Sequence, residues 1–119
     1  MKLSENFRSA EFACPCCGAA KVDPQLIAGL EQLRGIVNKP IRITSGYRCK
    51  AHNAKVGGAK NSQHFLGTAA DIAVEGISVL ELALAAEMVP AFAQGGIGTY
   101  QRDGHLHIDI RAKRARWRA

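Results

Sequence analysis

Gly95-Gly96-Ile97-Gly98-Thr99-Tyr100-Gln101-Arg102-Asp103-Gly104-His105-Leu106-His107-Ile108-Asp109-Ile110-Arg111 is the stretch from which the fold is read. Gln101 to Gly104 is a strong hairpin turn, Gly95 to Tyr100 a strand kept open by glycines, and His105 to Arg111 the returning strand. Successive side chains of a strand point to opposite faces. Leu106, Ile108 and Ile110 are therefore expected in a core, and His105, His107 and Asp109 on the other face. A lone histidine there would read as part of the exposed polar face of an edge strand. Two imidazoles and a carboxylate side by side, next to a tight turn, point instead to chemistry.

Working outward, Leu26, Ile27, Leu30, Leu33, Ile36 and Val37 recur at spacings of three and four, which predicts a helix from Asp23 to Val37 with one buried face. Asp23 is its cap and Pro24 its first residue. Ile41 to Ile43 reads as a short strand ended by Thr44-Ser45-Gly46. Tyr47 to Gly67 is polar and glycine-rich, a loop with one or two helical turns. Ala69 to Val74 reads as a buried strand. A second amphipathic helix is expected from Ser78 to about Val89, with Glu81 completing a capping box and Pro90 stopping it. The sum is an α+β fold: one small domain, residues 1–119, with a mostly antiparallel sheet flanked by helices.

The chain has 119 residues, 47% apolar, with no internal repeat. One core can form at this length, and a second domain has no room. No apolar run approaches the roughly 18 residues needed to cross a bilayer, and the first residues lack the apolar stretch of an export signal. Synthesis in the cytoplasm without a signal peptide is expected. The formal charge is +6, but Arg111, Lys113, Arg114, Arg116 and Arg118 stand in the last nine residues. Residues 111–119 read as a basic tail, either solvated and fraying or drawn to nucleic acid, anionic wall polymer or an acidic membrane surface.

A second cluster lies in Ser62-Gln63-His64-Phe65-Leu66-Gly67-Thr68-Ala69-Ala70-Asp71. His64 and Asp71 can converge from a loop and a strand start, with small residues between them to let backbone pack closely. With His107 they supply two imidazoles and a carboxylate, a three-ligand set that leaves one zinc position open. Taken singly, His64 is an ordinary loop histidine and Asp71 a surface or capping acid.

These residues resemble the zinc D-alanyl-D-alanine carboxypeptidase-like peptidases of bacterial peptidoglycan, which have the Hedgehog/DD-peptidase fold. The resemblance rests on Ser45-Gly46-Tyr47-Arg48 with His52-Asn53, on the S-x-H-x-x-G-x-A-x-D pattern from Ser62 to Asp71, and on His105-x-His107. It covers about residues 41–110. It implies one catalytic zinc ion held by His64, Asp71 and His107, with His105 as the proton-transfer or oxyanion residue. Arg48 would hold a substrate carboxylate or carbonyl, a task suited to its fork of donors. Ser62, Gln63 and Tyr47 are expected to position substrate, and Asp109 to support a ligating or catalytic imidazole or to pair with Arg111 or Lys113. The implied reaction is metal-assisted amide hydrolysis. The chain lacks the Glu-x-x-His that some relatives place before the final ligand, so His105 must take that function, which sets the chain nearer the carboxypeptidase branch than the endopeptidase branch.

Cys14, Cys16, Cys17 and Cys49 form Cys-x-Cys-Cys plus one, read as either a structural metal site or a bond from Cys16 or Cys17 to Cys49 that ties the N-terminal arm, residues 1–22, to the loop bearing Arg48. Phe7, Phe12, Phe65 and Phe92 are expected as core or arm anchors, and Tyr100 as a residue near the cleft.

The function expected is zinc-dependent hydrolysis of a D-amino-acid-containing amide in peptidoglycan stem peptides, by a D-Ala-D-Ala carboxypeptidase or an endolysin-type endopeptidase. Small size and a basic tail resemble a phage product acting at the cell wall or in the periplasm. The alternatives are an inactive zinc-stabilised module that binds wall polymer or peptide, and a nucleic-acid-binding protein, which leaves the His105–His107 face unexplained. A monomer is expected, with no membrane insertion and no specific nucleic-acid partner.

Overall fold

The hairpin is the centre of the molecule. In a computed structural model that describes residues 1–58 and 62–119, β1 (Arg42–Ser45), β2 (Ala69–Ala73), β3 (Gly96–Tyr100), β4 (His105–Asp109) and β5 (Ala115–Arg118) form one sheet in the order β1-β2-β4-β3-β5. Pairing is antiparallel except between β3 and β5, so the mostly antiparallel α+β class is the observed one. β4 ends at Asp109, and Ile110 follows it with its N–H donating to the Thr68 carbonyl at 3.2 Å. Part of the expected loop, residues 59–61, lies outside the described residues.

Register decides which side chains meet. Asp71 of β2 stands opposite His107 of β4, which stands opposite Gly98 of β3, which stands opposite Trp117 of β5. One row thus crosses four strands. On the reverse face Ala70, Ile72, Leu106, Ile108 and Ile97 are buried. α1 (Pro24–Val37), α4 (Val79–Ala86) and α5 (Pro90–Ala93) pack over that face, with Leu30, Leu33, Leu82, Ala86 and Phe92 almost wholly enclosed. The two short helices α2 (Lys50–Lys55) and α3 (Gln63–Leu66) sit in the segment between β1 and β2.

The local signals behave as physics requires. Asp23 accepts from the Gln25 N–H at 2.8 Å with Pro24 at the first helical position, and α1 closes on Asn38 in the left-handed region (φ 53°). Ser78 and Glu81 form the expected reciprocal cap on α4. Phe7, Phe12 and Phe92 are buried, whereas Phe65 is only partly so.

Three expectations need correction. Ile36 is 40% exposed rather than on the buried face of α1, because on the helix it falls to the side of the stripe formed by Leu26, Leu30 and Leu33. Pro90 does not merely stop a helix: α4 ends at Ala86, and Pro90 opens α5, where its missing N–H removes no bond. Most consequential, the basic tail does not fray. Ala115 to Arg118 add to the free edge of β3, with Ala115 N–H donating to Gly95 at 3.1 Å and Ala119 N–H to Thr99 at 2.9 Å. Three of its arginines are engaged within the chain: Arg116 grips Glu87 at 2.7 and 2.8 Å and the Ala93 and Gly95 carbonyls, Arg114 Nε donates to the Ala93 carbonyl, and Arg111 pairs with Asp109, while Arg118 is exposed.

Candidate metal centre

Asp71 is the hub of the polar face. Its Oδ1 lies 3.1 Å from His64 Nε2 and 3.1 Å from His107 Nδ1, and its Oδ2 lies 3.4 Å from Arg48 Nη2 and 3.7 Å from His105 Nε2. His64, Asp71 and His107 are all buried, and one donor atom from each lies within 4.8 Å of the others. His64 comes from α3, where the Ser62 hydroxyl accepts from the His64 N–H at 3.1 Å and Gly67, at φ 78°, ends the helix after a single turn. A bulge in β1 sets Ser45 rather than Thr44 against Asp71, and turns the chain so that Gly46 and Arg48 reach the same face.

The outer nitrogen of each imidazole is already committed. His64 Nδ1–H donates to the Gly46 carbonyl at 2.8 Å, and His107 Nε2–H donates to Asp109 Oδ2 at 2.7 Å. In the neutral rings both inner nitrogens therefore carry lone pairs, and both lone pairs face the same carboxylate oxygen. Three acceptors aimed at one another repel unless a cation stands between them. This donor set, with its outer nitrogens held by a carbonyl and a carboxylate, fits a divalent ion of the zinc type.

Without a metal ion a proton fills the same place, since a charged imidazole donates from its inner nitrogen to Asp71. Burial works against a charged His107, but hydrogen bonding to Asp109 and Asp71 and their negative charge outweigh it and raise its pKa. Burial likewise pushes the Asp71 carboxyl up, yet the hydrogen bonds from His107 and His64 prevail and hold it well below the usual carboxylate range. Asp109 is held low in the same way: burial opposes, while His107 and Arg111 prevail. The Asp71 and Asp109 carboxylates therefore stay ionised and favour positive charge on or between the imidazoles.

Asp109 joins two expected alternatives in one residue, since it receives His107 on one side and Arg111 on the other, with contacts of 2.6 to 3.0 Å from the Arg111 guanidinium. Gly96 makes this possible: a Cβ there would lie 2.4 Å from Asp109 Oδ2, and its N–H donates to Oδ1 at 2.9 Å.

An open cleft of about 510 Å³ lies over the cluster, lined among others by Arg48, Ser62, Gln63, Tyr100, His105 and Trp117. His105 stacks on Tyr100 with ring centroids 4.7 Å apart. Gln63 lines the cleft while its side-chain oxygen accepts from the Thr68 hydroxyl at 2.7 Å. Tyr47 is not among the lining residues; its backbone N–H is bound to Phe12 instead. A larger depression of about 960 Å³ around Lys39–Arg42 and Ala73–Gly76 shares no residue with this cleft.

Two contributors escape the sequence reading. Trp117 lies with its ring 5.0 Å from that of His107, beneath the Arg111 guanidinium, and its Nε1–H donates to Tyr100 Oη at 2.9 Å. It can cross the sheet because Gly98 has no side chain: a Cβ there would sit 2.4 Å from Trp117 Cε2. The Gly46 carbonyl is the other, and a backbone acceptor leaves no mark in composition. Gly96 and Gly98, on one face of β3, are the available signal for Trp117.

A family model described as Peptidase M15 matches residues 5–109. The peptidoglycan L,D-endopeptidase MepK of Escherichia coli K12 is 37% identical over 95 residues, which is 74% of this chain and 50% of that protein. The probable peptidoglycan L,D-endopeptidase MepK of Haemophilus influenzae is 31% identical over 97 residues, 75% of this chain and 50% of that protein. The zinc D-Ala-D-Ala carboxypeptidase of Streptomyces albus G is 35% identical over 71 residues, 60% of this chain and 28% of that protein. The chain thus spans about half the length of the MepK relatives it matches.

Proposed function

The chain belongs to the peptidase M15 family, and from that premise we propose that it is a zinc-dependent peptidase that hydrolyses a D-amino-acid-containing amide bond in peptidoglycan stem peptides. The observation that carries the reading is the meeting of His64 Nε2, His107 Nδ1 and Asp71 Oδ1 at the floor of an open cleft. Relatives named as peptidoglycan endopeptidases and as a zinc carboxypeptidase support the substrate class.

His64, Asp71 and His107 hold the ion, and Gly46 and Asp109 fix their tautomers from outside. When bound, zinc supplies the Lewis acidity that polarises an amide carbonyl and acidifies water. Arg48, anchored by Ser45 at 3.3 Å and by Asp71, offers its remaining donors to a substrate carboxylate or carbonyl oxygen. His105 Nε2 accepts a proton from the attacking water and returns it to the leaving amine, and its stacking on Tyr100 keeps the ring at the cleft wall. Ser62 acts by holding His64, and Trp117 closes the side of the site beside His107. The reading takes the chain as a single peptidase domain acting as a monomer at the cell wall. No helix among the described residues is long and apolar enough to cross a membrane.

The test is incubation of the zinc-loaded protein with isolated peptidoglycan, with and without chelator, followed by mass spectrometry of the muropeptides. Chelator-sensitive release of new amines is expected. Free D-alanine marks carboxypeptidase action, and opened cross-links or shortened stems mark endopeptidase action. Binding to the wall without any new amine would overturn the hydrolase reading in favour of a binding module.

A further inference from the structure

A second group of ligand-type side chains stands apart from the cleft, at the junction of the N-terminal arm and the segment after β1. The sulfurs of Cys14, Cys17 and Cys49 all lie within 4.8 Å of one another. Cys16 is not one of these three mutually close sulfurs, though its thiol makes a side-chain hydrogen bond with Cys49. All four are free thiols. Read as Cys-x-Cys-Cys the arm has no zinc knuckle, but Cys14 and Cys17 are themselves separated by two residues, the usual ligand spacing, with Cys16 as an extra sulfur between them.

The backbone is folded as such a knuckle requires. Gly18 N–H donates to the Cys14 carbonyl at 2.8 Å, Gly18 has φ 76°, and Cys14 N–H donates to Ala19 at 2.7 Å, so residues 14–19 curl into one turn. Backbone amides already point at the sulfurs: Cys49 N–H to Cys14 Sγ and His52 N–H to Cys49 Sγ, each at 3.4 Å. Amides aimed at sulfur stabilise thiolate, the form that binds metal. A disulfide would engage two of these sulfurs and leave a third packed against it. A tetrahedral ion with bonds of about 2.3 Å sets its sulfurs about 3.8 Å apart and accommodates the three mutually close ones together.

We propose that Cys14, Cys17 and Cys49, with Cys16 completing the shell, bind a structural zinc ion that clamps the N-terminal arm to the segment carrying Gly46 and Arg48. Four thiolates close the coordination shell, so this centre is structural and takes no substrate. Its position gives it a purpose. Tyr47 N–H donates to the Phe12 carbonyl at 2.9 Å, and Gly46 lies so close to Phe12 that a Cβ would come within 2.5 Å of its Cα. Fixing Cys49 to the arm therefore fixes the residues just before it, whose carbonyl and guanidinium serve His64 and Asp71. The proposal does not depend on the peptidase reading.

The full chain is prepared under reducing conditions without chelator, and zinc per chain is measured. About two equivalents are expected, one for each centre. Cys17→Ser should lose one, and His64→Ala should lose the other. Replacement by Co²⁺ should give strong sulfur-to-cobalt charge-transfer absorption in the wild type and in His64→Ala, and none in Cys17→Ser. Wild-type protein that gives no such absorption, carries a disulfide by intact mass, or has all four thiols alkylated as fast as in the denatured chain would overturn the proposal. These wild-type measurements stand even if Cys17→Ser does not fold, and none of them reads peptidase activity.

Discussion

Two clusters of ligand-type side chains lie on either side of Gly46 to Cys49, and they are built in opposite ways. The His64, Asp71, His107 cluster stands on central strands and a capped helical turn, is buried, and has its outer nitrogens tied to Gly46 and Asp109. The cysteine cluster stands on a turn and a helix cap, and two of its sulfur-bearing residues, Cys16 and Cys17, are exposed. Rigid strands hold three ligands and leave room for a cleft above them, whereas turns let sulfurs close around an ion and leave no room. A site meant to react belongs on the first kind of support, and a site meant to fasten belongs on the second.

The comparison breaks most easily at Asp71. Asp71→Ala should abolish one equivalent of zinc and lower peptidoglycan hydrolysis by about a thousand-fold or more, the scale of losing a Lewis acid, while the cobalt–thiolate absorption persists. Loss of both signals together would show that the two clusters are not independent. His105→Ala should lower kcat by about 10²- to 10⁴-fold with zinc content unchanged, as expected for a proton-transfer group. Unchanged hydrolysis would remove His105 from the reaction and leave the metal centre standing.

Asp109→Asn sharpens the role of the outer layer. It keeps the shape but removes the charge that orients His107 and draws in Arg111, and should weaken zinc affinity about 10- to 100-fold, measured by competition with a chromophoric chelator. The cysteine centre should hold its metal unchanged. The smallest effect is expected at the sheet edge. Hydrogen bonds and charge from Arg116, opposed by burial, lower the Glu87 pKa, so this pair adds stability above the usual carboxylate range and loses it as pH falls through the lowered value. Glu87→Gln should reduce stability at neutral pH by about 0.2–1 kcal/mol, a partly exposed pair's usual worth, and the difference from wild type should shrink in acid. A thermal unfolding series across pH checks it; a difference that grows in acid would reverse the assignment.

Much of this was legible before any coordinates. The spacing of Leu26, Leu30 and Leu33 marks α1, the Ser78 and Glu81 pair marks the start of α4, and the Gln101 to Gly104 turn sets the central hairpin, all because helix and turn signals act over a few residues. β5 was not legible. Its residues Ala-Arg-Trp-Arg have little apolar periodicity, and they become a strand only because β3 leaves an unpaired edge and Glu87 waits for Arg116. The Cys14 and Cys17 spacing was obscured by the cysteine between them.

Sequence alone determined the candidate chemistry and the face on which β4 carries it, since alternation along a strand is a property of the backbone itself. That His64, Asp71 and His107 meet around one oxygen was decided by tertiary structure: the register opposing Asp71 to His107, the bulge that brings Gly46 behind His64, and the bare Gly98 that lets Trp117 cover the site. Register and close approach are relations between distant segments, fixed by mutual burial and hydrogen bonding, and no local pattern of residues encodes them.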